Sequence, residues 1–188
     1  MSDRRMPASR LVLAALCAVL VVGGAPPAAA TDDRGGGTTA AEVPEQLEGS
    51  LAWPVPQAQV LRAFAAPSTR WGAGHRGIDV AAAPGETVVA ATSGTVTFAG
   101  TVVDRPVVTV RMDGVPWEVL VTAEPVAPLV AAGDVVEAGD PIGTVVGGHR
   151  PCGACIHLGV RIDDAYANPM ALLGAERAVL LPLARGSG

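Results

Sequence analysis

The chain has 188 residues, which is enough for one domain of ordinary size with short appendages. Hydrophobic residues make up 49% of it and aromatic residues only 3%, while Gly (23) and Pro (16) are frequent, so the composition predicts a core of small aliphatic side chains and many turns. All thirteen basic residues are arginine, which excludes chemistry that needs a lysine, and the net charge of −5 argues against a nucleic-acid partner.

The first thirty residues follow the pattern of a secretory signal peptide. Three arginines lie among the first ten residues, Leu11 to Val22 form an unbroken apolar run, and small residues continue to Ala30. The apolar run is shorter than the about 20 residues that span a bilayer. We therefore expect residues 1–30 to be a signal peptide cleaved after Ala30, giving a secreted product with no stable membrane insertion after processing. An uncleaved anchor is the alternative.

Residues 31–50 and 51–173 differ in composition and in the pattern of apolar residues. Residues 31–50 are polar and Gly-rich without periodicity, which is typical of a flexible linker, and residues 174–188 are expected to be a C-terminal tail. From residue 51, short apolar and β-branched runs alternate with turn pairs, a pattern that predicts an all-β fold with a single, mostly antiparallel β-sheet or sandwich domain. The predicted strands are Glu86 to Ala91, Thr95 to Phe98, Val107 to Met112, Trp117 to Val121, two strands within Val135 to Val146, and Ala154 to Ile162.

Two of the three histidines lie in a context suited to metal binding. His75 and Asp79 occur in G-H-R-G-I-D-V, and His157 lies on one face of the alternating segment Ala154 to Ile162. Imidazole nitrogen and carboxylate oxygen are ordinary zinc ligands, and three protein ligands with one open position are typical of catalytic zinc. The residues alone leave a plainer interpretation open, in which His75 is a loop histidine, Asp79 caps a turn and His157 is a solvated strand residue.

Three blocks of this region resemble a known family in their order and spacing. They are G-H-R-G-I-D-V-A-A-A-P-G-E-T-V-V-A-A-T-S-G-T-V, then V-A-A-G-D-V-V-E-A-G-D-P-I-G-T-V, then I-H-L-G-V-R followed by A-N-P. Over about residues 51–173 they are similar to the lysostaphin/LytM-type zinc metallopeptidases. The resemblance implies a β-domain of the duplicated hybrid motif type. It also implies a cell-wall-associated metalloendopeptidase that hydrolyses peptide bonds of peptidoglycan peptides, with one Zn²⁺ per chain bound by His75, Asp79 and His157.

Two positions depart from the family pattern. Cys155 replaces the first histidine of an H-x-H motif, and Glu124, in V-T-A-E-P-V, stands where the other catalytic histidine would be. The chain thus resembles a variant subgroup with E-P-V and C-x-H at these places. We expect Glu124 to be the general base, because zinc lowers the pKa of a bound water to about 7 and a nearby carboxylate can then take its proton. The alternative is a catalytically degenerate member that binds the cell wall or regulates another wall hydrolase.

The remaining candidate groups surround these blocks. Cys152 and Cys155 have no thioredoxin-like context, so we expect a structural disulfide between them in an exported protein. His149 is expected to be a loop histidine, with a role as a substitute proton carrier as the alternative. Arg76 and Arg161 are expected at the rim of the site, where either could meet a substrate carboxylate.

Overall fold

The computed structural model describes residues 40–69, 71–147 and 153–174. Within those ranges the chain forms eleven β-strands, one short α-helix and one 3-10 helix, so the expected all-β fold is confirmed. No helix in the described part is long and apolar enough to cross a membrane. The expected signal peptide (1–30) and nearly all of the expected C-terminal tail lie outside the described residues.

The strands are short and follow one another through tight connections. They are β1 (Val60–Arg62), β2 (Gly77–Ala81), β3 (Thr87–Val89), β4 (Gly94–Val102), β5 (Arg105–Met112), β6 (Val119–Glu124), β7 (Val126–Pro128), β8 (Val135–Val136), β9 (Pro141–Val145), β10 (Cys155–Ile162) and β11 (Ala165–Ala167). The 3-10 helix is Glu45–Leu47 and the α-helix α1 is Pro169–Leu172. Asn168 begins α1, because its side-chain oxygen accepts a hydrogen bond from the backbone N–H of Met170 and a proline follows it.

Two antiparallel sheets make up the described part of the chain. The larger sheet has eight strands in the order β1-β2-β10-β6-β5-β4-β8, with β11 also paired to β10, and the smaller sheet has the order β3-β9-β7. Strand β10 is central, since it pairs with β2 on one side and β6 on the other. Its register sets His157 opposite Asp79 on β2 and opposite Glu124 on β6. Side chains opposite one another in antiparallel strands share a face, so these three lie in one row across the sheet.

One face of the larger sheet packs into the core. On β10 the residues Ile156, Leu158 and Val160 are at most 1% exposed, and Val88 and Ile142 of the smaller sheet join the same core cluster. Each such side chain stabilises the fold by about 1.5–3 kcal/mol through burial. The predicted alternation of this strand is therefore found in the structure, and it leaves the opposite face of the sheet for polar and small side chains.

Residues 40–50 belong to this domain, so the expectation of a flexible linker over 31–50 is wrong for that part. Leu47 is fully buried in the core, the backbone N–H of Ala41 donates to the carbonyl of Tyr166 at 2.7 Å, and that of Leu51 donates to the carbonyl of Leu172 at 2.8 Å. This packing could not be predicted from the polar composition, because one buried leucine and a few backbone hydrogen bonds leave no periodic signal in a short segment. Residues 31–39 lie outside the described ranges.

Candidate metal centre

The structure brings the three predicted ligands, His75, Asp79 and His157, together on the polar face of the larger sheet. Asp79 Oδ1 lies 2.9 Å from His75 Nε2 and 2.9 Å from His157 Nδ1, and the two ring nitrogens are 3.2 Å apart. One ligand atom from each residue thus lies within 4.8 Å of the others. His75 is 6% exposed and Asp79 is fully buried, so the cluster is largely shielded from water.

Backbone pairing positions His75, and a glycine makes room for His157. His75 precedes β2, and its N–H and carbonyl pair with the carbonyl and N–H of Ala65 at 2.8 and 3.0 Å. Gly77 allows β2 to approach β10 closely, since a Cβ atom there would lie 2.6 Å from His157 Nε2 and would also meet the backbone oxygen of Leu158. A glycine at this position therefore makes room for the imidazole of His157.

A carbonyl sets the tautomer of His75. Nδ1 lies 2.8 Å from the carbonyl oxygen of Ala63, which can only accept, so Nδ1 carries the proton and donates it. In the neutral ring Nε2 then holds a lone pair, and that lone pair faces the carboxylate of Asp79. Metal-binding histidines commonly donate their second N–H in this way, which fixes the ring and raises its basicity as a ligand. Sequence reasoning missed Ala63, because no local pattern links it to His75.

Burial favours the neutral form of His157. Desolvation lowers the pKa of His157 below its ordinary value of 6.5. The hydrogen bond and charge of Asp79 and the more distant charge of Glu124 raise that pKa, and the charge of His75 lowers it, with burial the largest of these effects. Since only the neutral imidazole can bind a metal ion, the site favours the protonation state that coordination needs.

The donor set fits a zinc ion. Two imidazole nitrogens and one carboxylate oxygen are typical zinc ligands, and three protein ligands leave a fourth position open, as in catalytic sites. Around a tetrahedral zinc ion with bonds of about 2.0–2.1 Å, ligand atoms lie about 3.3–3.4 Å apart. The three separations here are 2.9, 2.9 and 3.2 Å, so a small outward movement of the side chains would match that geometry.

Glu124 lies next to this cluster and is paired with a cation that sequence reasoning missed. It ends β6, directly opposite His157, and its side chain is 18% exposed. Its Oε1 lies 3.3 Å from Nη1 of Arg105, the first residue of β5. The two residues are far apart in the sequence, and only the β5–β6 pairing brings them together, so no motif could have indicated the contact.

Cys155 lies two residues before His157 and is disulfide-bonded. It is 1% exposed, and a sulfur in a disulfide can neither bind zinc as a thiolate nor carry a proton. Its predicted partner Cys152 and the candidate proton carrier His149 lie outside the described residues.

The two predicted rim arginines meet around one aromatic ring. The guanidinium carbon of Arg76 lies 5.7 Å, and that of Arg161 6.0 Å, from the ring centre of Tyr166. Arg76 also donates to the carbonyl of Gly72 at 3.1 Å, and Arg161 is ion-paired with Asp164. These contacts place both charges beside Tyr166.

A family model and curated relatives match the sequence of this chain. The model of peptidase family M23 matches residues 73–169, which is just over half of the chain and includes all three clustered residues. Uncharacterized proteins of Mycobacterium tuberculosis and Mycobacterium bovis are each 39% identical over 143 residues, covering 72% of this chain and 56% of the relative. The chain therefore spans little more than half the length of these curated relatives.

Solved structures share the fold at low identity. A zinc-containing peptidase from Vibrio cholerae has a TM-score of 0.52 and 20% identity, covering 65% of this chain and 40% of that one. The catalytic domain of the antimicrobial peptidase lysostaphin from Staphylococcus simulans has a TM-score of 0.54 and 18% identity, covering 62% and 92%. A structure of the SpoIIQ–SpoIIIAH pore-forming complex has a TM-score of 0.55 and 23% identity, covering 68% and 92%. The predicted resemblance to the lysostaphin/LytM type is confirmed at the level of the family, and the chain belongs to peptidase family M23.

Proposed function

We propose that this protein is an exported zinc metalloendopeptidase that hydrolyses peptide bonds in bacterial peptidoglycan. The observation that carries the proposal is the clustering of His75, Asp79 and His157, with the Nε2 lone pair of His75 facing the carboxylate. These three residues would hold one zinc ion. Membership of the peptidase family supports the reaction class, and the pattern of a signal peptide over 1–30 supports export to the cell wall.

The bound ion would polarise a peptide carbonyl and lower the pKa of a water molecule to about 7. Glu124, in the same row as His157, would then accept a proton from the attacking water and return it to the leaving amine nitrogen. Cys155 has no part in this proton transfer, since its sulfur is held in a disulfide.

The sheet beside the cluster has room for a peptide. The next row of the same face carries Gly77, Gly159, Thr122 and Thr109, which lie opposite one another on β2, β10, β6 and β5. The hydroxyl oxygens of Thr109 and Thr122 are 2.9 Å apart, and every side chain in this row is short. An extended peptide could therefore lie across the strands with one carbonyl next to the three ligands. Membership of peptidase family M23, together with the resemblance of its motifs to the lysostaphin/LytM type, supports peptidoglycan as the source of this peptide.

Metal content and wall digestion together test the proposal. The purified protein should hold one zinc per chain, and it should release soluble fragments from purified peptidoglycan. A chelator should stop this release and added zinc should restore it, whereas added magnesium should not. The His75→Ala and His157→Ala variants should lose both zinc and activity. Full zinc occupancy in both variants would show that the ligands are wrongly assigned.

A second candidate function is a module that binds the wall or another protein without cleaving anything. Two features favour it: a disulfide-bonded cysteine, which carries no proton, stands at Cys155 in place of a family histidine, and the expected base Glu124 is held in an ion pair. A similar fold also occurs in the SpoIIQ–SpoIIIAH pore-forming complex, where it is part of a protein assembly. Zinc-loaded protein that co-sediments with peptidoglycan but releases no fragments would favour this function.

A further inference from the structure

Among the described residues, the row of the proposed zinc site holds two carboxylates, whereas peptide hydrolysis creates a negative charge that needs hydrogen-bond donors. When water attacks a peptide carbonyl, the carbonyl oxygen becomes an oxyanion, and hydrogen-bond donors stabilise it. Asp79 and Glu124 are carboxylates, which accept hydrogen bonds when ionised. His157 directs Nδ1 at Asp79, and Cys155 is held in a disulfide. A hydrogen-bond donor on a neighbouring element would therefore add to the stabilisation of the oxyanion that the metal ion would supply.

Arg105 has the position and the chemistry of such a donor. It begins β5, which pairs with β6, and its Nη1 contacts Glu124 Oε1 at 3.3 Å. Thr109 of β5 pairs with Thr122, whose side chain lies on the site face of β6. Arg105 and Val107 precede Thr109 by four and two residues. Because side chains two residues apart in a strand share a face, Arg105 lies on the site face too. A guanidinium keeps its charge at any physiological pH and presents five N–H donors. With the side chain 45% exposed, part of this fork remains accessible to a bound peptide.

We propose that Arg105 is a catalytic residue that donates hydrogen bonds to the oxyanion while its ion-pair partner Glu124 moves the proton. This inference rests on the proposed function. A water oxygen bonds to the carbonyl carbon, one water proton passes to Glu124, and the carbonyl π electrons become the charge that Arg105 stabilises. The C–N bond then breaks as the carbonyl re-forms, and the proton on Glu124 goes to the amine nitrogen. The carboxylic acid product loses its remaining proton to solvent or to the amine.

A plainer role for Arg105 would be to position Glu124 without touching the substrate. The two roles differ in one measurable property. A tetrahedral phosphinic analogue carries the negative oxygen of the intermediate but needs no proton acceptor, so its binding reports on the donor alone. The probe is the phosphinic isostere of the bond that the parent protein cleaves in purified peptidoglycan, as identified from the masses of the released fragments.

The test compares Arg105→Met and Arg105→Lys with the parent, all as zinc-loaded full chains. Arg105→Met should weaken binding of the phosphinic isostere by about 10²–10³-fold, lower kcat by a similar factor and leave KM nearly unchanged. Arg105→Lys keeps the charge but loses the planar guanidinium, so its kcat and its affinity for the isostere should lie between those of Arg105→Met and the parent. The control is Arg111→Met on the same strand, because Arg111 is 48% exposed and lies near Asp113 rather than Glu124. It should behave like the parent, and zinc content and thermal stability should be unchanged in all three variants.

Two outcomes would overturn the inference, and they differ. If Arg105→Met lowers kcat but binds the phosphinic isostere as tightly as the parent does, Arg105 only positions Glu124 and is not the donor. If the zinc-loaded parent releases no peptidoglycan fragments, the proposed function itself fails, and the role of Arg105 fails with it.

Discussion

The two sides of His157 differ in burial and in chemistry. On the β2 side lie His75 and Asp79, both buried, with the histidine tautomer set by a backbone carbonyl. On the β6 side lies Glu124, partly exposed and ion-paired with the more exposed Arg105. The first side is a preformed donor set suited to a metal ion. The second side is an accessible charged pair, in which we propose that Glu124 moves the proton and Arg105 meets the substrate. Metal binding and turnover should therefore respond separately to substitution.

Removal of the proposed base should have the largest effect on rate. Glu124→Gln keeps the shape of the side chain but removes the proton acceptor, so peptidoglycan hydrolysis should fall by about 10²–10⁴-fold. Zinc content should stay at one per chain, because Glu124 is not among the clustered ligand atoms. Glu118→Gln, one residue before β6 and exposed, is the control and should keep parental activity. Full activity in the Glu124→Gln protein would show that Glu124 is not the general base.

Replacement of the shared carboxylate should instead act on metal affinity. Asp79 Oδ1 contacts both imidazoles, so Asp79→Asn removes the charge that balances a dication. Loss of even an outer partner of a metal ligand costs about 10–100-fold in affinity, and we expect at least the upper end of that range here. Competition with a zinc-binding dye measures the change. Asp140→Asn is the control, since the side chain of Asp140 accepts a turn hydrogen bond from the N–H of Glu137 and is not among the clustered ligand atoms. Equal zinc affinity in both variants would contradict the ligand assignment.

The close approach of β2 and β10 should be sensitive to a single methyl group. Gly77→Ala places a carbon against the backbone of Leu158 and the ring of His157, so the free energy of unfolding should fall by about 1–3 kcal/mol and zinc should bind more weakly. Gly159, directly opposite on β10, is the matched control, because a Cβ there has its nearest neighbours at 3.7 Å. Denaturant unfolding should show that Gly159→Ala is nearly neutral. Similar losses for both variants would mean that strand geometry, not ring packing, is responsible.

A lower pH should slightly destabilise the metal-free protein, because His157 is largely buried. Burial lowers the pKa of His157, so the unfolded chain binds a proton more readily than the folded chain does. The stability from the neutral ring is fully present above the unfolded pKa of about 6.5 and is lost as pH falls through the folded value. Urea unfolding of chelator-treated protein between pH 7.5 and 5.5 should show this decrease. His157→Gln should show a smaller one, and identical profiles would contradict the assignment.

Much of the fold could be predicted because strand alternation is a local property. The predicted segment Ala154 to Ile162 corresponds to β10, and Val135 to Val146 does contain two strands, β8 and β9. Strand ends were less accurate: β4 continues to Val102, past the predicted end at Phe98. Strands β1, β2, β7 and β11, of three to five residues, were not predicted, whereas the equally short β3, β8 and β9 lie within longer β-branched segments that could be recognised.

The sequence by itself determined the family and the strand face that carries His157, since these follow from the order of the motifs and a two-residue period, and the family resemblance indicated the three residues now found clustered. Tertiary structure alone decided the partners: the carbonyl of Ala63 on His75, the burial of Leu47, and Arg105 beside Glu124. Those contacts depend on which strands pair and in what register, and register is a non-local property set by packing, turns and the bulge between Val96 and Phe98.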